Sequence, residues 1–444
     1  MSDARANRSA VLSKAGVTID QSGLGWWQGI TRYQWTVLLV AWFGFMFDLM
    51  DSTLYSLVMV PAVRNLLGGV ASTQSIGWYG GLVTAIFLVG WASGGVFFGI
   101  FADRHGRRMA LMITILMYAI FTGLSAISHS WWELGIYRFL TGLGIGGEWA
   151  AGAALVAETW PERSRTKAAA VLQLSGGVGY FLAAFINLMV GGYSWRWVFV
   201  VGAFPAVLLL LLRYFVRESE RWLESKAAAG GTAKSGPSLA QVFTPELRRD
   251  TIVGSLLAVV ATLGFWAVTS WVPAYVGDML SRGPNRPDPA TLSKTVSYAS
   301  MIMTLGSIPG YIIIGWLADR IGRRGAFAIF YIGAAIAIPV TFLNPWPLST
   351  LLWLLPFIAL FTMGVFAGFP IYLPELFPTY LRGTGSGFCF NIGRTVAAVG
   401  PLMTGTIVRA TGSFGRAITV LGLIYLLGPI TLIFARETRG QKLK

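Results

Sequence analysis

Five ionisable residues interrupt stretches that are otherwise almost wholly apolar, and their types and spacing suit the handling of protons and carboxylates. Asp48 and Asp51 lie three apart in FDLMDSTLY, so on a helix both carboxyls share a face with Tyr55, one turn further on. Arg138 and Glu148 lie in RFLTGLGIGGEWA, and Arg394 lies in NIGRTVAAVGP with Asn391 on the same helical face. A charge at the centre of a bilayer costs a few kcal/mol even on a lenient scale, so such residues mark function by default. Two acids that repel each other in a partly dry site hold a proton more readily, and an arginine that closes on them expels it. Arg394 stays charged and is suited to grip a carboxylate in a bidentate fork. The same side chains would also serve as static salt bridges that fix helix register, and Asp48 could face a water-filled vestibule.

The elements that hold these residues are long and apolar. Hydrophobic residues make up 55% of the 444 residues and charged ones 12%, and the mean hydropathy is +0.63, which a soluble core could not hide. Runs of about 20 residues, enough to cross a hydrocarbon layer as helix, fall near 34–62, 76–101, 107–128, 131–158, 164–191 and 195–217. A second six fall near 251–280, 293–318, 326–344, 348–375, 382–411 and 413–436. None alternates as a membrane barrel strand must. The expected fold is all-α and integral to the membrane, with twelve transmembrane helices in two pseudo-symmetric bundles of six. The expected divisions are a tail 1–33, a bundle 34–217, a linker 218–250 around AAAGGTAKSG, a bundle 251–436 and a tail 437–444.

The net charge of +15 does not point to nucleic acid, because roughly 25 of the 34 Lys and Arg fall in alternate loops and the tails. That asymmetry predicts a multi-pass protein with both termini in the cytoplasm, its basic loops facing anionic lipid. The single cysteine, Cys389, allows no intrachain disulfide, and no metal-ligating cluster is visible. His105 and His129 fall in predicted loops, and GLGIGGE follows no strand, so neither an intramembrane histidine relay nor a nucleotide cradle is expected. No nucleophile–base pair suggests an enzyme.

A ten-residue phrase occurs twice, GIFADRHGRR from Gly99 and GWLADRIGRR from Gly315, each between two apolar runs. A second pair keeps nearly the same offset: Glu158, Pro161 and Arg165 in ETWPERSR recur as Glu375, Pro378 and Arg382 in ELFPTYLR. Duplicated halves imply two bundles that face each other. Gly99 and Gly315 are placed to let helices approach closely, and Asp103 and Asp319 to meet the positive end of a neighbouring helix. Arg104, Arg107 and Arg108, like Arg320, Arg323 and Arg324, are placed to pair with Glu158 and Glu375.

In duplicate and at this spacing, the G-x-L-A-D-R-x-G-R-R pattern resembles the major facilitator superfamily over nearly the whole chain. The resemblance implies one substrate site between the halves, exposed to each side in turn, and a hairpin network that shuts the cytoplasmic side. The acidic pair Asp48 and Asp51 resembles that of the aromatic acid/proton symporters, and GGEW around Glu148 is similar to the metabolite and sialate/proton symporters. Asp51 with Arg138 resembles the coupling pair of sugar/proton symporters, and Arg394 falls where organic-anion carriers have a binding arginine. RETRG near Arg436 is similar to the sugar porters' terminal signature, but the seventh run lacks their paired glutamines.

Trp266, Trp271, Tyr180 and Phe366 are aromatic candidates for the wall of such a site, and Gln173 is a polar one; each aromatic would equally suit packed core or lipid contact. The expected activity is symport of a small organic anion with protons into a bacterial cell across the inner membrane, by a functional monomer without cofactor. A sugar or polyol symporter and a transporter-like receptor are the competing expectations. The latter usually carries an added signalling domain, whereas this chain ends soon after the twelfth run.

Overall fold

The computed structural model describes residues 27–69, 71–214, 239–282, 287–378 and 381–440. Among these residues twelve helical spans follow one another. They are α1 (Arg32–Leu66), α2 (Thr73–His105), α3 (Arg107–Ser125), α4 (Trp131–Thr159), α5 (Glu162–Val190) and α6 (Trp195–Tyr214), then α7 (Arg248–Ser281), α8 (Pro289–Ile321), α9 (Arg323–Leu343) and α10 (Leu348–Leu376). The last two are α11, made of Arg382–Ala397 and Val399–Thr411, and α12 (Phe414–Ile433). Eight of these are individually long and apolar enough to cross a membrane. Their outer faces bear apolar side chains such as Trp353, Phe204 and Ile312, each more than 60% exposed, as lipid contact requires. His105 closes α2 rather than lying in a loop, its ring stacked on Phe101 at 4.3 Å.

Five second-half spans are broken within a turn or so ahead of a proline that cannot donate a backbone N–H. In α7 the missing donor of Pro273 is replaced by Val272, whose N–H reaches the Thr269 carbonyl and tightens Thr269–Trp271 into a 3-10 turn. In α10 Phe369 does the same for the Phe366 carbonyl ahead of Pro370. Pro309, Pro401 and Pro429 follow comparable breaks in α8, α11 and α12. Such breaks are tolerated at membrane depth where protein or a cavity surrounds them.

The two halves meet mainly at the face opposite the duplicated hairpins. A Cβ added at Gly81 would lie 2.5 Å from the Pro401 carbonyl, and one at Gly405 would strike the Gly77 carbonyl. Asn187 Nδ2 donates to Ser297 Oγ at 2.9 Å, and Thr73 Oγ1 to Asp278 Oδ1 at 3.4 Å. Within the first half α2 and α4 interlock through glycine, since a side chain at Gly94 or Gly146 would collide with the carbonyls of Leu143 and Trp91. The small-residue faces of these two helices are what permit that approach.

Of the expected divisions, residues 1–26, 215–238 and 441–444 lie outside the described ones. They hold most of the tail 1–33, most of the linker 218–250 and the last part of the tail 437–444. The linker's end is a 3-10 turn, Leu239–Phe243, which Thr251 ties to α7 through the Val242 carbonyl at 2.6 Å.

Candidate functional site

The first acid pair divides its attention between the two halves. Asp51, 1% exposed, receives Arg138 Nη1 on Oδ2 at 3.0 Å and Thr122 Oγ1 on Oδ1 at 2.5 Å, while Arg138 Nη2 donates to the Asp51 carbonyl at 3.2 Å. All of these partners belong to the first half. Asp48 is fully buried, and its charge bears on Arg394 of the second half. Tyr55 is buried within the field of Arg138, and Glu148 is buried one helical stretch along α4. The shared face of Asp48, Asp51 and Tyr55 therefore points into the bundle.

Arg394 stands in the wall of a central cavity of about 80 Å³ between the halves. Its guanidinium lies 5.2 Å from the Trp91 ring centroid and 4.9 Å from that of Phe390, close enough for cation–π attraction. Tyr180, Trp266 and Phe366 also line the cavity, with Tyr311, Thr262 and Phe265 beside them. The 3-10 turn of α10 carries Phe366, so the break imposed by Pro370 helps aim it inward.

Asp51 and Arg138 do not line this cavity but abut its wall. The Arg138 guanidinium lies 4.6 Å over Phe87, Phe87 meets Trp91 at 5.7 Å, and the Arg394 guanidinium lies 5.2 Å from Trp91. Phe87 and the wall residue Trp91 thus lie between the buried ion pair and Arg394. Neither Phe87 nor Trp91 stands out in LVTAIFLVGWASGG, where both read as ordinary apolar positions. Thr122, in YAIFTGLSA, is equally inconspicuous.

Other expectations are corrected by their surroundings. Trp271 is 1% exposed and packs on Phe414 at 5.7 Å, away from the cavity lining, since five residues of helix already turn it about 140° from Trp266. Asn391 is exposed and is not among the lining residues either, although it precedes Arg394 by three positions. The side chain of Gln173 lies outside the described residues.

The hairpins differ in detail from expectation. Gly99 and Gly315 have nothing within 4 Å of an added Cβ, so neither mediates a close helix approach. The demanding positions are Gly106 and Gly322, at φ +101° and +89°, where each hairpin reverses. Among the described residues Asp319 pairs with Arg323 at 3.1 Å rather than with a helix end. Glu437 instead caps α9, accepting the backbone N–H groups of Arg323 at 2.9 Å and Arg324 at 3.1 Å.

Glu375 takes a two-bonded grip from Arg323 at 2.8 and 3.0 Å, and Thr438 Oγ1 at 2.5 Å. Arg324 donates to the Leu432 carbonyl at 3.0 Å, and Arg320 lies 4.4 Å over Trp316. These bonds stay within the second half. The RETRG segment, through Glu437 and Thr438, completes a clasp that hairpin spacing alone does not suggest. In the first half Arg108 is half-buried, and the side chains of Asp103, Arg104, Arg107, Glu158 and Arg165 lie outside the described residues, as does that of Arg382.

The family model described as Major Facilitator Superfamily matches residues 41–401. The chain belongs to that superfamily. A sialic acid transporter of Escherichia coli is 30% identical over 89% of this chain and 92% of its own length. A cis,cis-muconate transport protein of Acinetobacter baylyi is 31% identical over 92% of this chain and 96% of its own. A solved D-xylose–proton symporter superposes with a TM-score of 0.73 at 19% identity, covering 93% of this chain and 100% of that one, which supports the fold alone. As a member of the superfamily the protein is a multi-pass membrane transporter for a small molecule and not an enzyme.

Proposed function

We propose that the protein takes up a small organic anion, such as a monocarboxylate, aromatic acid or sialate-like acid, together with protons by alternating access. The observation that carries this reading is Arg394, a cation in the wall of the central cavity, stacked on Trp91 and Phe390 with the Asp48 charge bearing on it. In this reading an incoming carboxylate and Asp48 compete for one guanidinium. Protonation of Asp48 releases Arg394 to the substrate, and the site never holds two uncompensated negative charges. The Asp51–Arg138 pair and Glu148 are the further groups for proton coupling. Each net charge carried inward gains about 2.3 kcal/mol per 100 mV, so a surplus of protons over substrate charge concentrates the acid.

The excess of Lys and Arg on the hairpin side supports a cytoplasmic position for that face and both termini, in a bacterial inner membrane. Closure of the opposite face, through Gly81, Gly405 and Asn187, then corresponds to a state shut toward the exterior. The proton gradient is the energy source, with no resident cofactor or metal, and the functional unit is one chain.

Uptake of labelled organic acids into proteoliposomes, with internal pH recorded, tests this directly. Arg394→Ala should lower uptake of every transported acid by at least about thirtyfold, the loss of a buried charge-assisted pair. Asp48→Asn and Asp51→Asn should retain exchange but lose accumulation driven by pH. Unchanged uptake by Arg394→Ala would reject the anion and favour a sugar or polyol, and absence of proton movement would reject symport.

A further inference from the structure

Behind Tyr180, Phe265 and Trp266, on the side away from Arg394, lies a second and smaller hollow of about 30 Å³. It shares those three side chains and Met363 with the central cavity, so the two are neighbours through one wall. Six hydroxyl residues converge on it: Thr53 and Ser56 from α1, Thr269 and Ser270 from the 3-10 turn of α7, and Ser300 and Thr304 from α8. Its volume is enough to admit a water or a hydroxyl group.

The direction of the hydroxyl hydrogens gives this hollow its character. Thr53 donates to the Leu49 carbonyl at 2.7 Å, Thr269 to Phe265 at 2.7 Å, Ser300 to Val296 at 2.8 Å and Thr304 to Ser300 at 2.9 Å, while Ser270 donates to Trp266. Five hydrogens are thus spent on the helices' own carbonyls. What those oxygens offer inward is lone pairs. Only Ser56 and the Tyr180 phenol keep a hydroxyl hydrogen to give, and no Lys, Arg or His among the described residues lines the hollow.

We propose that this hollow is a second subsite, which accepts an uncharged hydrogen-bond donor of the cargo, a hydroxyl or amide N–H, and rejects a second carboxylate. The inference rests on the reading of Arg394 as the carboxylate grip: the acid group of the cargo binds there, and its far end passes Tyr180 and Trp266. A donor arriving there satisfies several oxygens at once. A second carboxylate would find only the Ser56 and Tyr180 hydroxyls and the Trp266 N–H to donate to it, would face five lone-pair oxygens, and would be buried without a cation. A bare cation fits less well, since no carboxylate lines the hollow to balance its charge.

The test measures competition and uptake in proteoliposomes holding the full chain, with two sets of probes. One set is benzoate, para-hydroxybenzoate and terephthalate; the other is hexanoate, ω-hydroxyhexanoate and adipate. In at least one set the hydroxylated acid should bind roughly tenfold more tightly than its parent, and the dicarboxylate more weakly than either. Thr269→Val and Thr304→Val keep the side-chain shape and remove the oxygen. They should erase the hydroxyl preference and leave binding of the parent acid within about twofold.

Arg394→Ala separates the two readings. If it abolishes binding of all the acids while Thr269→Val and Thr304→Val change nothing, the subsite is refuted and the anion site stands. If it changes nothing, or if none of the six acids binds, the anion reading fails and the subsite with it. Equal affinity for parent and hydroxylated acids, preference for the dicarboxylates, or uptake that requires sodium in place of choline would each overturn the subsite.

Discussion

At the scale of single residues, the Asp51–Arg138 pair is a costly arrangement to bury. Both side chains are 1% exposed, and the carboxylate is satisfied by Arg138 and Thr122. Pairs of this kind contribute little net stability against an apolar substitute, but breaking one strands a buried charge at about 3–5 kcal/mol. Arg138→Gln should therefore lower the melting temperature of the detergent-solubilised protein sharply. Adding Asp51→Asn to that variant should recover most of the loss, because no charge is then left alone. If the double variant melts as low as the sum of the two single ones, the residues do not act as a pair. Arg138 and Asp51 were legible as intramembrane charges, since the cost of burying them is independent of context. Thr122 was not, because a threonine on an apolar helix ordinarily bonds its own backbone.

At the scale of elements, the hairpin between α8 and α9 shows how one motif is completed by a distant one. Gly322 reverses the chain at φ +89°, which exposes the first N–H groups of α9, and Glu437 supplies the carboxylate that caps them. Burial works to raise the Glu437 pKa, but four backbone N–H donors, from Arg323, Arg324, Thr438 and Arg439, outweigh it and hold the value below the ordinary glutamate one. A depressed pKa means that the cap is complete above the unfolded-state value, about 4.3, and fades as pH falls through the folded one. Glu437→Gln should cost about 1 kcal/mol at neutral pH, as loss of a cap does. The gap from the parent protein should narrow as pH falls below the ordinary glutamate range and close only once it has passed the depressed folded value, where the parent carboxyl is itself protonated; melting curves across pH check this, and a constant gap would assign the effect to packing. Gly322→Ala would add a backbone strain of about 1–3 kcal/mol and bring its Cβ to 2.5 Å from the same carboxylate. The proline-broken spans of the second half were legible in part: each proline is visible, but which break faces a cavity depends on how the helix is rotated.

At the scale of the whole molecule, the halves are held together at the face away from the hairpins, and alternating access requires that this seam open. Asn187 and Ser297 face each other across it at 2.9 Å. The one native thiol, Cys389, is buried, so an introduced pair can be addressed alone. Asn187→Cys with Ser297→Cys, oxidised in proteoliposomes, should stop transport by more than tenfold and regain it on reduction, while substrate still binds from the hairpin side. Undiminished transport by the cross-linked protein would mean that this seam does not open during the cycle.

Length and hydropathy alone determined twelve apolar spans in two related sets, because a helix in lipid must satisfy every backbone group within itself and so leaves its length in the sequence. The duplicated DR-x-G-RR likewise announced two turns of one kind, and Gly106 and Gly322 make them with nearly the same backbone angles. Only the tertiary structure decided which face each helix turns inward. It set Arg394 and Trp266 at the cavity while burying Trp271 and exposing Asn391, and it matched Glu437 with a hairpin more than a hundred residues away. Helical spacing fixes which residues share a face, but the rotation of that face is set by neighbours remote in sequence, and a 3-10 turn such as Thr269–Trp271 resets the count midway.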